Sequence, residues 1–327
     1  MSRIETFTIS NSNGMELEIS NLGATIVSLL VPNKQHIKTN VVVGLDDPTL
    51  YEKDSYVTQG IFLGATIGRF AGRISKGTFV IDGNEYQLYE KDGVHLHGGK
   101  VGFDKQFWKM KEMSHGENPY MVLSYVSKDL EEGYPGSVQV FVTYQLLETN
   151  ALKITYVATT DKTTPINLAN HSYFNLAGKG SVINHKLQLF ANEYLEFNKK
   201  LLPTGEVLPI KNSMYDYANK RAIEIKNFKG IDTAFVNDSK NSLCAVLYSE
   251  ESGIEMQVST NQPITVVYTP LQFDGLSFKN AVSYDRFPAI CFETQGFPDS
   301  PNIKSFQSTL LYPNEKYTNE SVYQFVI

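Results

Sequence analysis

Two polar stretches of this sequence could carry acid–base chemistry. Residues 167–178 thread three asparagines, His171, a serine and a tyrosine among apolar residues, and Glu293 directly follows the apolar run 290–292. Buried polar groups are costly unless they are paired, so such threading indicates a hydrogen-bonding site. A histidine with an ordinary pKa of about 6.5 and a partly buried glutamate are suited to general acid and base catalysis near neutral pH.

Both stretches also admit simpler interpretations. A carboxylate at the end of a buried strand is often a structural hydrogen-bond acceptor, and that possibility stays open for Glu293. The pair His171-Ser172 hints at a hydrolase, but the Gly-x-Ser-x-Gly elbow that would present a nucleophilic serine is missing. The sequence therefore favours proton transfer over nucleophilic attack.

A glycine-rich stretch, residues 64–74, contains Arg69 and Arg73. It lacks the Gly-Lys-Ser/Thr of a phosphate-binding loop, and no helical pattern follows it. Two interpretations remain: glycines at bulges beside solvated arginines, or an arginine held against a ligand hydroxyl or oxyanion.

The segment His95-Leu96-His97-Gly98-Gly99 places two histidines two residues apart. On a strand, His95 and His97 share a face, so a metal pair is conceivable. No carboxylate at a helpful spacing supplies a third ligand. The glycines indicate instead that another part of the molecule or a ligand approaches the backbone closely.

The elements that must position these residues are strands. Apolar residues alternate with polar ones over 138–146 and again over 152–158, and the turn Thr149-Asn150 between them predicts a hairpin. Asp82-Gly83 predicts a second hairpin. Comparable runs occur at 17–19, 25–31, 186–190, 254–258, 265–268 and 321–327.

Helical patterns are weak, and only residues 215–225 are expected to form a turn or two of helix. Strands that recur at short spacing without alternating helices predict an all-β sandwich. Because no linker-like tract divides the chain, residues 1–327 are expected to form a single domain.

Composition excludes several classes of protein. The 327 residues carry a formal charge of -6, which gives no electrostatic basis for binding nucleic acid or an anionic membrane. Two cysteines, Cys244 and Cys291, lie in apolar runs and are expected to be reduced core thiols. The N-terminus lacks an apolar signal region, and no stretch approaches the about 20 apolar residues that span a bilayer. We expect a soluble, cytoplasmic protein.

In their order along the chain, these four segments resemble those of the aldose 1-epimerases, also called galactose mutarotases. The resemblance covers nearly the whole sequence. Three further matches are Glu-Glu-Gly-Tyr-Pro-Gly at 131–136, Gly-Phe-Asp-Lys at 102–105 with Trp108, and Leu-Pro-Thr-Gly-Glu at 202–206. Each match is weak alone, but together and in sequence order they are specific.

The resemblance implies a large β-sandwich of the galactose mutarotase-like type with few short helices. It also implies interconversion of the α and β anomers of free hexoses, such as galactose and glucose, without a cofactor or a metal. Glu293 resembles the family's general base and His171 its general acid. The implied sugar-binding residues are Arg73, His97, Asp232 and Tyr173.

The sequence departs from the family at positions expected on the rim of the site. Gly72 stands where the family often has Asn, Thr233 where His is common, and Val266 where some members place a ligand-binding Gln. These departures leave the preferred sugar open but do not touch the acid–base pair.

Other functions remain as alternatives. One is epimerisation of maltose or a hexose 6-phosphate, although Arg69 and Arg73 are the only cations near a motif that could hold phosphate. Others are a non-catalytic carbohydrate-binding protein and a metal-dependent hydrolase built on His95 and His97. The expected partner is a monosaccharide, with no nucleic acid or membrane, and the oligomeric state is open. The histidines outside the motifs, His36, His115 and His185, are expected at the surface.

Overall fold

The computed structural model describes residues 3–224, 228–238 and 240–327, which form mainly strands. The strands are β1 (Thr6–Ser10), β2 (Glu16–Ser20), β3 (Thr25–Pro32), β4 (Lys38–Asn40), β5 (Thr66–Ile67), β6 (Arg73–Ser75), β7 (Thr78–Ile81), β8 (Asn84–Gln87), β9 (Val94–Leu96), β10 (Lys109–Ser114), β11 (Tyr120–Ser127), β12 (Val138–Leu147), β13 (Ala151–Thr160), β14 (Thr164–Pro165), β15 (Ala169–Asn170), β16 (Tyr173–Phe174), β17 (Lys186–Leu189), β18 (Ala191–Phe197), β19 (Pro203–Pro209), β20 (Arg221–Ala222), β21 (Asp232–Asn237), β22 (Leu243–Tyr248), β23 (Glu255–Thr260), β24 (Ile264–Tyr268), β25 (Ile290–Gln295), β26 (Leu310–Leu311) and β27 (Tyr317–Val326).

Helices are short. The helix α1 covers Asp54–Val57, and 3-10 turns cover Pro48–Glu52, Phe103–Lys105, Glu131–Gly133 and Lys279–Ala281. Within the described ranges, no helix has the length and apolar character needed to cross a membrane.

A nine-stranded sheet forms one layer, in the order β10-β11-β12-β13-β27-β23-β22-β17-β20. It includes the predicted hairpin of β12 and β13, in which Val138 pairs with Thr160 and Leu147 with Ala151. Asn150 adopts a φ of 65° in the connecting turn, a backbone conformation that asparagine tolerates well.

A six-stranded sheet forms the second layer, in the order β16-β25-β24-β21-β18-β19. Phe235, Val267 and Phe292 from this sheet share one hydrophobic core with Val140 and Tyr323 of the nine-stranded sheet. The two sheets thus bury a common interior, and the predicted all-β sandwich is confirmed.

Alternation along β25 gives the six-stranded sheet two different faces. Phe292 belongs to the shared core, so its neighbour Glu293 points to the opposite face. Glu293 pairs with Val266 of β24, and Tyr268 of β24 pairs with Asp232 of β21. Two carboxylates therefore project from the face of the sheet that turns away from the core.

Most predicted elements are confirmed, including the Asp82-Gly83 hairpin of β7 and β8. The expected helix over 215–225 is wrong: the described part, 215–224, holds no helix and includes β20, while Ile225 lies outside the described residues. Pairing overrides the weak local preference, because β20 extends the nine-stranded sheet beside β17 and the Tyr217 hydroxyl donates to the Ile223 carbonyl. Organisation as one domain over 1–327 stays a prediction.

Candidate active site

A cavity of about 290 Å³ opens on the face of the six-stranded sheet that carries Glu293. All six residues singled out from the sequence line it: Arg73, His97, His171, Tyr173, Asp232 and Glu293. The remaining lining residues are Gly60, Phe62, Gly72, Leu96, Phe197, Leu201, Val266, Tyr268, Gln295 and Pro298. The cavity thus combines a group of ionisable side chains with apolar and aromatic walls, as ligand pockets generally do.

His171 lies between β15 and β16, two short strands that anchor it on both sides. Its backbone N–H donates to the Ala65 carbonyl, and its carbonyl accepts from the Gly64 N–H. Its ring stacks on Tyr173, with centroids 4.9 Å apart. These contacts fix the direction in which the imidazole faces Glu293.

The three asparagines around His171 serve structural hydrogen bonds. Asn170 donates to the Gly64 carbonyl and accepts from the Ser172 hydroxyl. Asn175 donates to the Lys179 and Pro288 carbonyls. Because the Ser172 hydroxyl donates to an asparagine, the structure gives it no contact with His171 that would activate it as a nucleophile.

His171 and Glu293 form a buried pair, with Nε2 and Oε1 3.5 Å apart and each residue only 3% exposed. Neither His171 Nδ1 nor Glu293 Oε2 has a hydrogen-bond partner among the described residues. Burial raises the pKa of Glu293 to about 8, with a further rise from Asp232 and an opposing effect of Arg73. Burial lowers the pKa of His171 to about 4. Both groups therefore favour their neutral forms, with the proton of the pair on Glu293.

His97 lies next to His171, with ring centroids 5.4 Å apart. Its Nδ1 accepts a hydrogen bond from the Gly72 N–H at 3.2 Å. Burial, with smaller contributions from the nearby positive charges, holds the pKa of His97 well below its ordinary value, so the ring is neutral. A neutral ring that accepts at Nδ1 carries its proton on Nε2, which makes His97 a hydrogen-bond donor at that atom.

Arg73 and Asp232 complete the ionisable group. The Arg73 backbone is clamped by the loop after β25, because the Asp299 N–H donates to the Arg73 carbonyl and the Ser75 N–H donates to Asp299 Oδ1. Burial raises the pKa of Asp232, and the charge of Arg73 opposes that rise. Arg73 and Asp232 both line the cavity, so their opposite charges act on the same space.

The ligand atoms of His97, His171 and Glu293 lie within 4.8 Å of one another, a spacing that could hold a metal ion. The hydrogen bonding of His97 does not fit that role. A metal-bound histidine usually donates its second ring N–H to an acceptor, whereas His97 Nδ1 faces the Gly72 N–H, a donor. The hydrogen bonding of His97 therefore argues against a bound metal ion at this place.

His95 points away from the cavity, so the strand-face metal pair with His97 does not form. Its Nδ1 donates to the Tyr89 carbonyl at 2.7 Å and its Nε2 accepts from the Tyr134 hydroxyl at 2.6 Å. Arg69 lies beside Tyr134 and donates to the Pro135 and Gly136 carbonyls. We call Arg69, His95 and Tyr134 the anchor cluster, because it holds β9, the strand that precedes His97 and pairs with the strand of Arg73.

The three histidines outside the motifs differ in their exposure to solvent. His36 and His115 are exposed, as expected. The surface position expected for His185 is wrong: the residue is 3% exposed, and its Nε2 accepts from the Leu176 N–H. The burial of His185 could not be predicted, because nothing in the sequence around a single histidine before a strand indicates its backbone partner. Cys244 and Cys291 are buried free thiols, as expected.

Several cavity residues were not singled out from the sequence. Tyr268 and Gln295 follow from strand alternation, because each lies two residues from a cavity position in its own strand. Phe62 and Phe197 come from distant segments, and no local pattern marks them. Gly72 and Val266 line the cavity as expected, but Thr233 does not: it is 2% exposed and pairs with Val267 of the shared core.

Comparisons with known proteins agree with this geometry. A family model described as aldose 1-epimerase matches residues 5–324. The galactose mutarotase of Homo sapiens is 36% identical over 99% of this chain and 94% of its own length. The aldose 1-epimerase of Escherichia coli strain K12 is 31% identical over 98% and 94%. Among solved structures, a GalM/aldose epimerase homologue from C. elegans is 28% identical with a TM-score of 0.91, covering 99% of both chains. A galactose 1-epimerase from Lactobacillus acidophilus is 26% identical with a TM-score of 0.84 and the same coverage.

Proposed function

The chain belongs to the aldose 1-epimerase family, and we propose that it interconverts the α and β anomers of a free hexose with Glu293 as general base and His171 as general acid. The proposal rests on the contact between these two side chains, which are buried together at 3.5 Å in a cavity of about 290 Å³. Both keep an unpaired polar atom, so they are available to hydroxyl groups of a sugar.

The reaction needs two proton transfers. Glu293 as carboxylate takes the proton of the C1 hydroxyl while His171 as imidazolium gives one to the ring oxygen, and the C1–ring oxygen bond breaks to leave an open-chain aldehyde. Rotation about C1–C2 presents the other carbonyl face. Closure then returns the proton from Glu293 to O1 and takes the ring-oxygen proton back to His171. Each positioned acid or base contributes about 10²–10⁴-fold.

The two side chains must hold one proton between them throughout this cycle. In the structure that proton lies on Glu293, because burial raises the pKa of Glu293 to about 8 and lowers that of His171 to about 4. From the sequence we expect ordinary pKa values, with the proton on His171. In the structure both pKa values are shifted, and the proton lies on Glu293 instead. Hydrogen bonds from sugar hydroxyls stabilise the carboxylate, and the proton crosses the 3.5 Å contact to His171 before the ring opens.

The other ionisable residues position the sugar. Arg73 donates hydrogen bonds to hydroxyl oxygens, and the neutral His97 donates from Nε2. Asp232 lies two strands away from Glu293 in the six-stranded sheet and accepts from other hydroxyl groups of the sugar. Tyr173, which stacks on His171, supplies an aromatic surface to the sugar. No step in this scheme calls for a metal or an organic cofactor.

A neutral hexose suits the cavity better than a phosphorylated one. Among the described lining residues, Arg73 is the one permanent cation, whereas Asp232 and Glu293 are both carboxyl groups. Arg69 is committed to backbone carbonyls in the anchor cluster. Because Glu293 is neutral in the empty cavity, the charges of Arg73 and Asp232 offset each other, and a phosphate group would find no net positive charge to hold it.

Polarimetry on freshly dissolved α-D-glucose, α-D-galactose, maltose and glucose 6-phosphate tests the proposal. The spontaneous rate of anomer exchange in the same buffer is subtracted for each sugar. We expect the protein to accelerate exchange more with the two hexoses than with the phosphorylated sugar. Glu112→Gln, at an exposed position of β10, is the control for Glu293→Gln. Equal rates for Glu293→Gln and the control would contradict the assigned base.

A further inference from the structure

The carboxamide of Gln295 is an unexplained buried polar group in the cavity wall. Gln295 lies two residues after Glu293 on the same face of β25, is 0% exposed and lines the cavity. Its Oε1 accepts no hydrogen bond from any described residue. Its Nε2 makes one long contact, 3.3 Å to the carbonyl of the adjacent Gly296. A primary carboxamide has two donor hydrogens and two acceptor lone pairs, so most of this capacity is unused.

The neighbouring side-chain amide of Asn167 has a structural role and can be compared with Gln295. Asn167 donates to the Ala71 carbonyl at 3.0 Å and to the Gly296 carbonyl at 3.2 Å, and accepts from the Gly296 N–H at 2.7 Å. The Asn167 side chain thereby holds the end of β25 in place. Gln295 adds nothing comparable to that arrangement, although it is equally buried.

The absence of a side chain at Gly72 leaves space next to the buried Gln295 amide. A Cβ at position 72 would lie 3.2 Å from Gln295 Nε2 and 3.1 Å from Pro298 Cβ, so any side chain there would lie against the carboxamide. Gly72 has a φ of +83°, which also favours glycine. Gly72, Gln295 and Pro298 all line the cavity, so the space left by the missing side chain belongs to it.

We propose that Gly72 and Gln295 form a hydroxyl-binding subsite of the sugar pocket, in which the Gln295 carboxamide hydrogen-bonds one hydroxyl of the hexose. The subsite rests on the proposed function for the identity of its ligand. Its consequence is a specificity for hexoses that carry that hydroxyl, because a sugar without it leaves the buried amide unpaired.

Gln295→Met tests the subsite, since methionine keeps the approximate size of the side chain and removes both amide atoms. The matched control is Gln139→Met, at an exposed position of β12. Anomer exchange is measured with glucose and with 2-, 3-, 4- and 6-deoxyglucose. We expect KM for glucose to rise about tenfold, equivalent to about 1.4 kcal/mol, with kcat changed by much less. The deoxysugar that lacks the hydroxyl bound by Gln295 has no contact to lose, so its KM should be the same in wild type and Gln295→Met.

An equal rise of KM for every sugar, or no rise for any, would overturn the subsite. If Gln295→Met does not fold, Gln295→Asn replaces it, because the shortened side chain keeps the amide but withdraws it from the sugar. The same pattern is expected, and a wild-type KM for glucose would overturn the proposal. Failure of the proposed catalytic pair is seen separately, as retained kcat in Glu293→Gln.

Discussion

Two buried histidines of this molecule, His95 in the anchor cluster and His171 in the cavity, are both hidden from water but differ in their hydrogen bonding. His95 in the anchor cluster has a hydrogen-bond partner at each ring nitrogen. His171 in the cavity has an unpaired Nδ1, and its neighbour Glu293 has an unpaired Oε2, among the described residues.

The difference shows that a shifted pKa does not by itself identify a catalytic group. Burial lowers the pKa of His95 and of His171 alike, in each case to about 4. What separates them is the use of their hydrogen-bonding atoms. Paired atoms fix the backbone, whereas unpaired atoms beside a cavity are free to exchange protons with a ligand.

The largest expected effect is on the activity of the cavity pair. Glu293→Gln and His171→Asn should each lower kcat/KM by about 10²–10⁴-fold, because each removes one of two proton-transfer groups. The double variant should lose little more than the worse single variant, since the two groups act as a unit. Polarimetric rates at several sugar concentrations provide the measurement.

A substitution in the anchor cluster is the control for this loss of activity. His95→Phe should keep kcat/KM within a few-fold of wild type when rates are expressed per folded molecule. A hundredfold loss in folded His95→Phe would erase the distinction between the two regions.

The second effect is on the stability of the protein. The substitution of Glu293 that lowers activity should increase stability. Glu293→Gln should raise the free energy of unfolding at pH 7 by up to about 3 kcal/mol, at about 1.36 kcal/mol per pH unit above the ordinary pKa. The carboxyl has a pKa of 4.5 when unfolded and about 8 when folded, so wild-type stability falls as pH rises between those values. Urea unfolding of both proteins at pH 4.5 and pH 7 measures the gain, which should vanish at the lower pH.

The smallest expected effect is the loss of stability when a residue of the anchor cluster is replaced. His95→Phe should lower the free energy of unfolding by about 1–3 kcal/mol, because the Tyr89 carbonyl and the Tyr134 hydroxyl lose their buried partner. The same urea titration measures it. A variant as stable as wild type would mean that the two hydrogen bonds do not anchor the strands.

The sequence was sufficient for the layers of the fold and for the six residues placed in the cavity. Period-two alternation located β12 and β13, because one face of each is buried. The strand of Glu293 was marked instead by its continuous apolar run, and both of its faces are buried. The sequence could not separate His95 from His97, because β9 ends at Leu96 and His97 adopts a φ of 49°, and no local pattern marks that break. Alternation along β21 puts Thr233 on the face opposite Asp232, so its expected place on the rim could have been corrected from the sequence. The shifted pKa values could not be predicted, because they arise from burial by distant segments.

The pH dependence of kcat/KM for α-D-glucose, measured by polarimetry from pH 3.5 to 9.5 with spontaneous exchange subtracted, tests the central claim most directly. A pair that shares one proton should be active on a plateau that falls below about pH 4, where both groups are protonated, and above about pH 8, where both have lost the proton. Circular dichroism at each pH confirms that the protein is folded. A decline of activity centred near pH 6.5, the ordinary pKa of histidine, would contradict the account.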